Sequence, residues 1–250
     1  MSCGEGESVQ WKFGDLVVQG VPWSCARTAI LESGKEGAEE LINIIQHSDL
    51  VSGRYEGGFK VWECSLDLCR FLAQENNRPL VNVNGKQIME VGCGAGLPGM
   101  LSLLLGAQFV CFQDFNPEVL DHVTQVNLSL NGLEAGRVSL LSGDWSDIPE
   151  KLNNRQRFDV ILTSETIYQP NNYPCLHALF HKLLRPEQGA SVLLAAKTVY
   201  FGVGGSLAGW LSYVKKQGVF ETEQLWSSGE GGVGRRIIRM TWKSADDRDR

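Results

Sequence analysis

Glu90-Val91-Gly92-Cys93-Gly94-Ala95-Gly96-Leu97-Pro98-Gly99 is the stretch on which the reading of this chain turns. It follows a short apolar segment, 87–91, that reads as a buried strand, and it opens an apolar run over 97–105. Alternating glycines at a strand-to-helix turn let the backbone approach a ligand with no Cβ in the way. The first amides of the new helix point at that ligand, and the positive end of the helix dipole favours a carboxylate or phosphate. The turn therefore implies a nucleotide-like ligand. Gly94-x-Gly96-x-x-Gly99 also satisfies a dinucleotide fingerprint, so the neighbouring residues must decide between ligands.

Outward from this turn the chain alternates between strand and helix patterns. Strands are predicted over 87–91, 108–113, 138–142, 158–163 and 190–195, and helices over 97–106, 117–131, 173–184 and 206–217. Asn116-Pro117 and Asn171-Asn172 have the composition of helix caps. Repeated βα units imply a parallel sheet covered on both faces. The pattern breaks at 219–226 and 235–242, two strand-like runs joined by the glycine-rich 227–234, which read as an antiparallel hairpin closing the sheet. Upstream, helical spacing occurs over 35–46 and at Leu66, Leu68, Cys69, Phe71 and Leu72, while 9–33 takes no firm assignment. The predicted organisation is an N-terminal appendage, 1–47, frayed over 1–8; one α/β domain, 48–243; and a charged, disordered tail, 244–250.

The chain has 250 residues, 43% of them apolar, which is enough to bury one full core. Its formal net charge of −6 argues against direct nucleic-acid binding and suits basic partners. Seven cysteines with no CxxC pairing read as reduced core thiols, and no secretory signal or membrane-length apolar run is present. The expectation is a soluble intracellular protein.

Asp114 lies at the end of the second strand of the alternation, about twenty residues past the glycines, where a carboxylate can accept hydrogen bonds from both hydroxyls of a ribose. That suits any adenosine ligand. Glu90 tips the choice, because an acid before the glycines would repel a pyrophosphate and welcome the ammonium of a methionine moiety. The closing hairpin points the same way. The predicted cofactor is S-adenosylmethionine. Gly143-Asp144-Trp145 could read the edge and face of adenine, or could be a polar turn with a core Trp. The fourth strand runs into Ser164-Glu165-Thr166-Ile167-Tyr168, at the end of the sheet where ligands of open α/β folds bind. His177 and His181 share a helix face, but no third ligand is evident and no metal is predicted. Cys93 lacks a His base and reads as packing beneath the loop.

Together these residues resemble the seven-β-strand methyltransferases, with a Rossmann-like, mostly parallel sheet and a C-terminal antiparallel hairpin. A closer resemblance is carried by Tyr55-Glu56-Gly57-Gly58-Phe59-Lys60-Val61-Trp62-Glu63-Cys64, by Phe112-Gln113-Asp114-Phe115-Asn116, by Leu162 to Tyr168, and by Ala196-Lys197 with Tyr200-Phe201-Gly202-Val203-Gly204-Gly205. These segments look like the protein-histidine methyltransferases, a eukaryotic family that modifies the tele nitrogen of a histidine in a large-subunit ribosomal protein. Glu90 stands where that family more commonly has Asp. The resemblance implies cofactor contacts from Val61, Trp62, Glu63, Cys64, Ser65, Glu90, Gly92, Gly94, Gly96, Gln113, Asp114, Phe115, Gly143, Asp144, Trp145 and Ser164. It also implies a basic, ribosomal protein substrate, a monomeric enzyme, and a cytoplasmic and nuclear location.

The chemistry of the two common acceptors differs. A lysine ammonium, with a pKa of about 10.4, must first lose a proton, whereas a histidine at about 6.5 offers a free lone pair near neutral pH. A histidine enzyme then needs an acceptor for the opposite N–H. Glu165 is assigned that role, with Tyr168 walling the pocket. The alternatives are a protein-lysine methyltransferase on the same fold and a cofactor-binding ribosome-assembly factor.

Overall fold

A computed structural model of the chain describes residues 8–133, 136–229 and 231–244. The expectations for 1–7 and 245–250 lie outside the described residues. Ser8 itself is tied to Gln19 by a 3.2 Å hydrogen bond. Segment 9–33, which the sequence left unassigned, forms β1 (Val9–Phe13) and β2 (Leu16–Gly20), an antiparallel hairpin, followed by helix α1 (Trp23–Glu32). Next come α2 (Ala38–His47) and α3 (Glu63–Ala73). The alternation then runs β3 (Gln87–Val91), α4 (Leu97–Leu104), β4 (Phe109–Asp114), α5 (Pro117–Val119), a π turn (Leu120–Thr124) and α6 (Gln125–Leu130). It continues with β5 (Val138–Ser142), α7 (Ile148–Lys151), β6 (Val160–Ser164), α8 (Tyr173–Leu183), β7 (Ser191–Lys197) and α9 (Leu207–Gln217). The hairpin β8 (Phe220–Ser227) and β9 (Arg235–Trp242) ends it.

The seven strands from β3 onward form one sheet in the order β5-β4-β3-β6-β7-β9-β8. Pairings from β5 through to β7 are parallel, and β9 is antiparallel to both of its neighbours. This is the predicted α/β architecture, closing hairpin included. Side chains alternate between faces along each central strand. Ile88, Val110, Leu162 and Leu193 pack toward α3 and α4, whereas Met89, Cys111, Ile161 and Leu194 pack toward α8 and α9. The N-terminal hairpin and α1 share the first of these cores through Phe13, Val18 and Ala26. Two asparagines of the α6 region dock the hairpin: Asn131 bonds the N–H and carbonyl of Gln19, and Asn127 accepts from Val21 N.

The expected caps are corrected. Neither Asn116 nor Asn172 caps its helix with its side chain. Asn116 instead donates to Arg54 O at 2.7 Å and accepts from Glu56 N at 3.2 Å, so its amide anchors the 49–62 segment against the end of β4. The helix predicted as one unit over 117–131 is broken by the π turn, which carries Thr124. The Thr124 hydroxyl donates to Gly94 O at 2.7 Å and so braces the glycine turn from the side.

Candidate active site

The strand order reverses direction at β3 and β6, the place where an open α/β sheet leaves a crevice beyond its carboxyl ends. A cavity of about 560 Å³ occupies that crevice, comparable to the clefts that hold small ligands. Its floor is the glycine turn, with Gly92 and Gly94, and the strand ends Asp114, Ser164 and Lys197. The 49–65 segment and the 199–203 loop form its walls.

Of the residues predicted for the site, Val61, Trp62, Ser65, Gly92, Gly94, Asp114, Phe115, Asp144, Trp145, Ser164, Glu165 and Tyr168 all line this cavity. The others stand behind it. Glu90 is buried on the α4 face of β3, where its carboxyl group accepts from Gly99 N at 2.8 Å. Burial pushes its pKa up to about 8, against the pull of that N–H, so near neutral pH it is mostly uncharged. The expectation that Glu90 meets a ligand ammonium is thus corrected: it staples the glycine turn to the helix. Gln113 holds three parts of the rim together, accepting from Gly92 N and Trp145 Nε1, both at 3.2 Å, and donating to Gly143 O at 2.9 Å. Gly143 sits at φ +132°, and a Cβ there would run into Lys151 Nζ. Gly96 provides the left-handed residue, φ +73°, that starts α4. Cys64 is buried, and Glu63 faces Lys197 rather than the cavity.

Asp114 is the best-supported ligand group. Its Oδ2 accepts from Gly94 N at 2.8 Å and its Oδ1 from Asn116 N at 3.2 Å, leaving acceptor capacity on both oxygens. Burial raises its pKa to about 6 in spite of these N–H groups. A Cβ on Gly58 would lie 2.9 Å from Val119 Cγ2 and 3.2 Å from Asp114 Oδ2, so only glycine lets the 49–62 segment close over this carboxylate. Trp145 lines the cavity with a half-buried indole, the arrangement expected of an adenine face rather than of a core Trp. The buried carboxylate, the glycine cradle and the exposed indole face fit an adenosine ligand. S-adenosylmethionine would be held by Asp114, Gly92, Gly94, Phe115, Asp144 and Trp145.

The far end of the cavity is a charged cluster. Glu165 follows β6 at φ +59°, in left-handed backbone that a glutamate rarely adopts. Its side chain is 8% exposed, and its Oε1 has no hydrogen-bond partner. Lys197 Nζ lies 3.5 Å from that oxygen and 3.0 Å from Glu63 Oε2. Burial alone would lower the lysine pKa, but Glu165 and Glu63 outweigh it and hold the ammonium above its ordinary range. The same ammonium stands 5.0 Å from the Trp62 ring centroid. Tyr200 is half-buried beside the cluster, where desolvation and then the charge of Glu165 keep its phenol protonated. Tyr168 donates to Glu56 Oε2, whose other oxygen accepts from Gly53 N at 2.7 Å. Tyr168 lines the cavity, and it also latches the 49–62 segment.

In the sequence alone, Lys197 and Glu56 stand out only as members of longer motifs. Lys197 ends β7 just as Asp114 ends β4, so the strand-end rule that found the aspartate could have found the lysine too. Cys93 is buried with its thiol pKa raised well above normal by desolvation, which leaves it no thiolate to act as a nucleophile. His177 packs among Trp210, Tyr213 and Phe220, and among the described residues no group of acids, cysteines and histidines could hold a metal.

Fold and site together define an S-adenosylmethionine-dependent methyltransferase architecture. A solved S-adenosylmethionine-dependent methyltransferase from Agrobacterium tumefaciens superposes with a TM-score of 0.56 at 15% identity, covering 95% of this chain and 70% of its own. The chain belongs to the family described as lysine methyltransferase, whose sequence profile matches residues 46–200. Among curated relatives, a histidine protein methyltransferase 1 homolog of Dictyostelium discoideum is 43% identical over 66% of this chain. One of Bos taurus is 37% identical over 90% of it. The chain spans 50% and 66% of the lengths of those two relatives.

Proposed function

We propose that this chain transfers a methyl group from S-adenosylmethionine to a histidine of a basic protein. The acceptor is the tele nitrogen of a histidine in a large-subunit ribosomal protein, met in the cytoplasm and nucleus by a monomeric enzyme. The observation that carries this reading is the buried carboxylate of Glu165, a residue lining the cavity, whose Oε1 has no hydrogen-bond partner and only the Lys197 ammonium at 3.5 Å. The names of the relatives support the choice of histidine, and the net charge of −6 suits a basic substrate.

When bound, the cofactor supplies a methyl group on a positively charged sulfur, open to in-line displacement by a neutral nitrogen. The residues of the chain do the rest. Asp114 and the glycine turn fix one end of the cavity, so positioning provides much of the acceleration. Glu165 accepts the N–H of the acceptor ring, which leaves the opposite nitrogen with its lone pair free, and it stabilises the imidazolium that forms. Tyr168 and Trp62 exclude water from the sides.

The family's description as lysine methyltransferase supports one other reading, a lysine acceptor. Labelled S-adenosylmethionine and large-subunit ribosomal proteins from cells lacking the enzyme separate the two, with amino-acid analysis of the product. Label in tele-methylhistidine is expected. Label in methyllysine alone would end the histidine reading.

A further inference from the structure

We propose that Lys197 sets the acceptor specificity of this site: its ammonium fills the place beside Glu165 that a target lysine would need, leaving the carboxylate to receive a neutral imidazole N–H. The inference rests on the histidine reading above and deepens it. A buried carboxylate facing an open cavity is by itself a poor selector of imidazole. It attracts any cation, and it raises the pKa of a bound imidazole, favouring the protonated ring that has no lone pair to react. Lys197 Nζ, 3.5 Å from Glu165 Oε1, cancels much of that field where the acceptor must sit.

The surrounding charges are arranged to keep the ammonium there. Glu63 Oε2 holds Nζ at 3.0 Å from the outer side, on a side chain that is 60% exposed and so well screened by water. Arg235 on that outer side is paired with the buried Asp67 and still lowers the Glu63 pKa slightly. The Trp62 ring gives Nζ an apolar, electron-rich face at 5.0 Å, with Lys60 at 4.5 Å from the same ring. Beneath, the Tyr200 hydroxyl accepts from Lys197 N at 3.2 Å, which fixes the end of β7. The remaining acids of this wall are engaged elsewhere, Glu56 by Tyr168 and Gly53 and Asp49 by Lys60 at 2.8 Å. Glu165 keeps a lone pair for a neutral donor, and a second ammonium would enter against the first.

The test compares the wild-type chain with Lys197→Met, Lys197→Gln and Lys197→Arg. The acceptors are the histidine peptide recovered from the ribosomal-protein reaction and the same peptide with lysine at the acceptor position. Thermal melting and S-adenosylhomocysteine binding identify which uncharged variant is folded. In that variant the preference for histidine over lysine should narrow about tenfold. The acid limb of its kcat profile on the histidine peptide should move up by about one pH unit, as the bound imidazole becomes easier to protonate. Lys197→Arg should restore both. A wild-type enzyme that prefers the lysine peptide overturns the histidine reading, and this inference with it. A histidine-selective wild type whose folded uncharged variant keeps both the selectivity and the acid limb overturns the role of Lys197 alone.

Discussion

Glu165 is held in left-handed backbone at a cost on the order of 1–3 kcal/mol for a non-glycine residue, a strain that persists only where the surrounding structure imposes it. Here the next residues impose it. Thr166 bonds the Thr163 hydroxyl at 2.8 Å, and Glu165 N donates to Ala195 O, so the turn on both sides of Glu165 is fixed. Glu165→Gln keeps the shape and an acceptor oxygen but removes the charge that stabilises a forming imidazolium. Turnover at saturating acceptor should fall about a hundredfold, with S-adenosylhomocysteine affinity unchanged by calorimetry. Unaltered turnover would remove Glu165 from the mechanism. Asp114 obeys a different rule. With its pKa at about 6, it accepts ribose hydrogen bonds best above that pH, so cofactor affinity should weaken as pH falls through 6. A titration of Kd against pH that stays flat between 5 and 7.5 would contradict this.

At the scale of the element, the loop after β7 shows how acceptor binding can be separated from chemistry. Gly205 is wedged against the carbonyls of Ile167 and Tyr168, each 2.3 Å from where a Cβ would sit, and its N–H donates to Tyr168 O at 2.8 Å. That clamp turns Tyr200 inward while Val199, Phe201 and Val203 stay exposed at the cavity mouth, Phe201 by 81%. An apolar rim beside the reacting centre is a contact for a large acceptor and is far from the adenosine end. Phe201→Ala should therefore raise KM for a protein acceptor about fivefold and leave kcat and cofactor affinity unchanged, as steady-state kinetics would reveal. If KM does not move, the acceptor enters elsewhere.

The same element scale explains what the sequence could reveal. Strands β3, β4, β6 and β7 announce themselves because they are largely apolar and buried on both faces, and β4, β6 and β7 end at polar residues, Asp114, Ser164 and Lys197, that line the cavity. The β1–β2 hairpin sends no such signal, since five-residue strands hold their place through Asn127 and Asn131, more than a hundred residues away. Asn116 looked like a cap because its sequence neighbours are those of a cap, but tertiary partners in the 49–62 segment took its side chain. Asp114 was legible from its strand-end position. The Glu165–Lys197 pair was not, since neither residue names its partner until β6 and β7 are laid side by side.

For the whole molecule, two buried titratable groups away from the reacting centre oppose one another. Glu90, ordinarily near 4.5, titrates at about 8 in the fold. Between those values the folded chain keeps a proton that the unfolded chain has released, so stability falls as pH rises from 4.5 through 8. His177, ordinarily near 6.5, is pushed down to about 4 by its aromatic surroundings and by His181. Between those values the unfolded chain takes up a proton that the folded chain refuses, so stability falls as pH drops from 6.5 through 4. Asp114, shifted up from 3.8 to about 6, adds to the Glu90 slope only below pH 6. Above pH 6.5, Glu90 is therefore the one of these three whose slope persists. Glu90→Gln keeps the acceptor for Gly99 N and cannot ionise, so its melting temperature should exceed that of the wild type by a few degrees, about 3 °C or more, at pH 8.5. The advantage should shrink to near zero at pH 4.5, where the wild-type carboxyl is protonated in the fold and half protonated in the unfolded chain. His177→Phe should act at the other limb, flattening the loss of stability below pH 6.5 while leaving the alkaline side as it was. Scanning calorimetry at pH 4.5, 6.5 and 8.5 reads both effects. If the Glu90→Gln curve runs parallel to the wild type, Glu90 ionises freely in the fold and cannot be the neutral staple of the glycine turn.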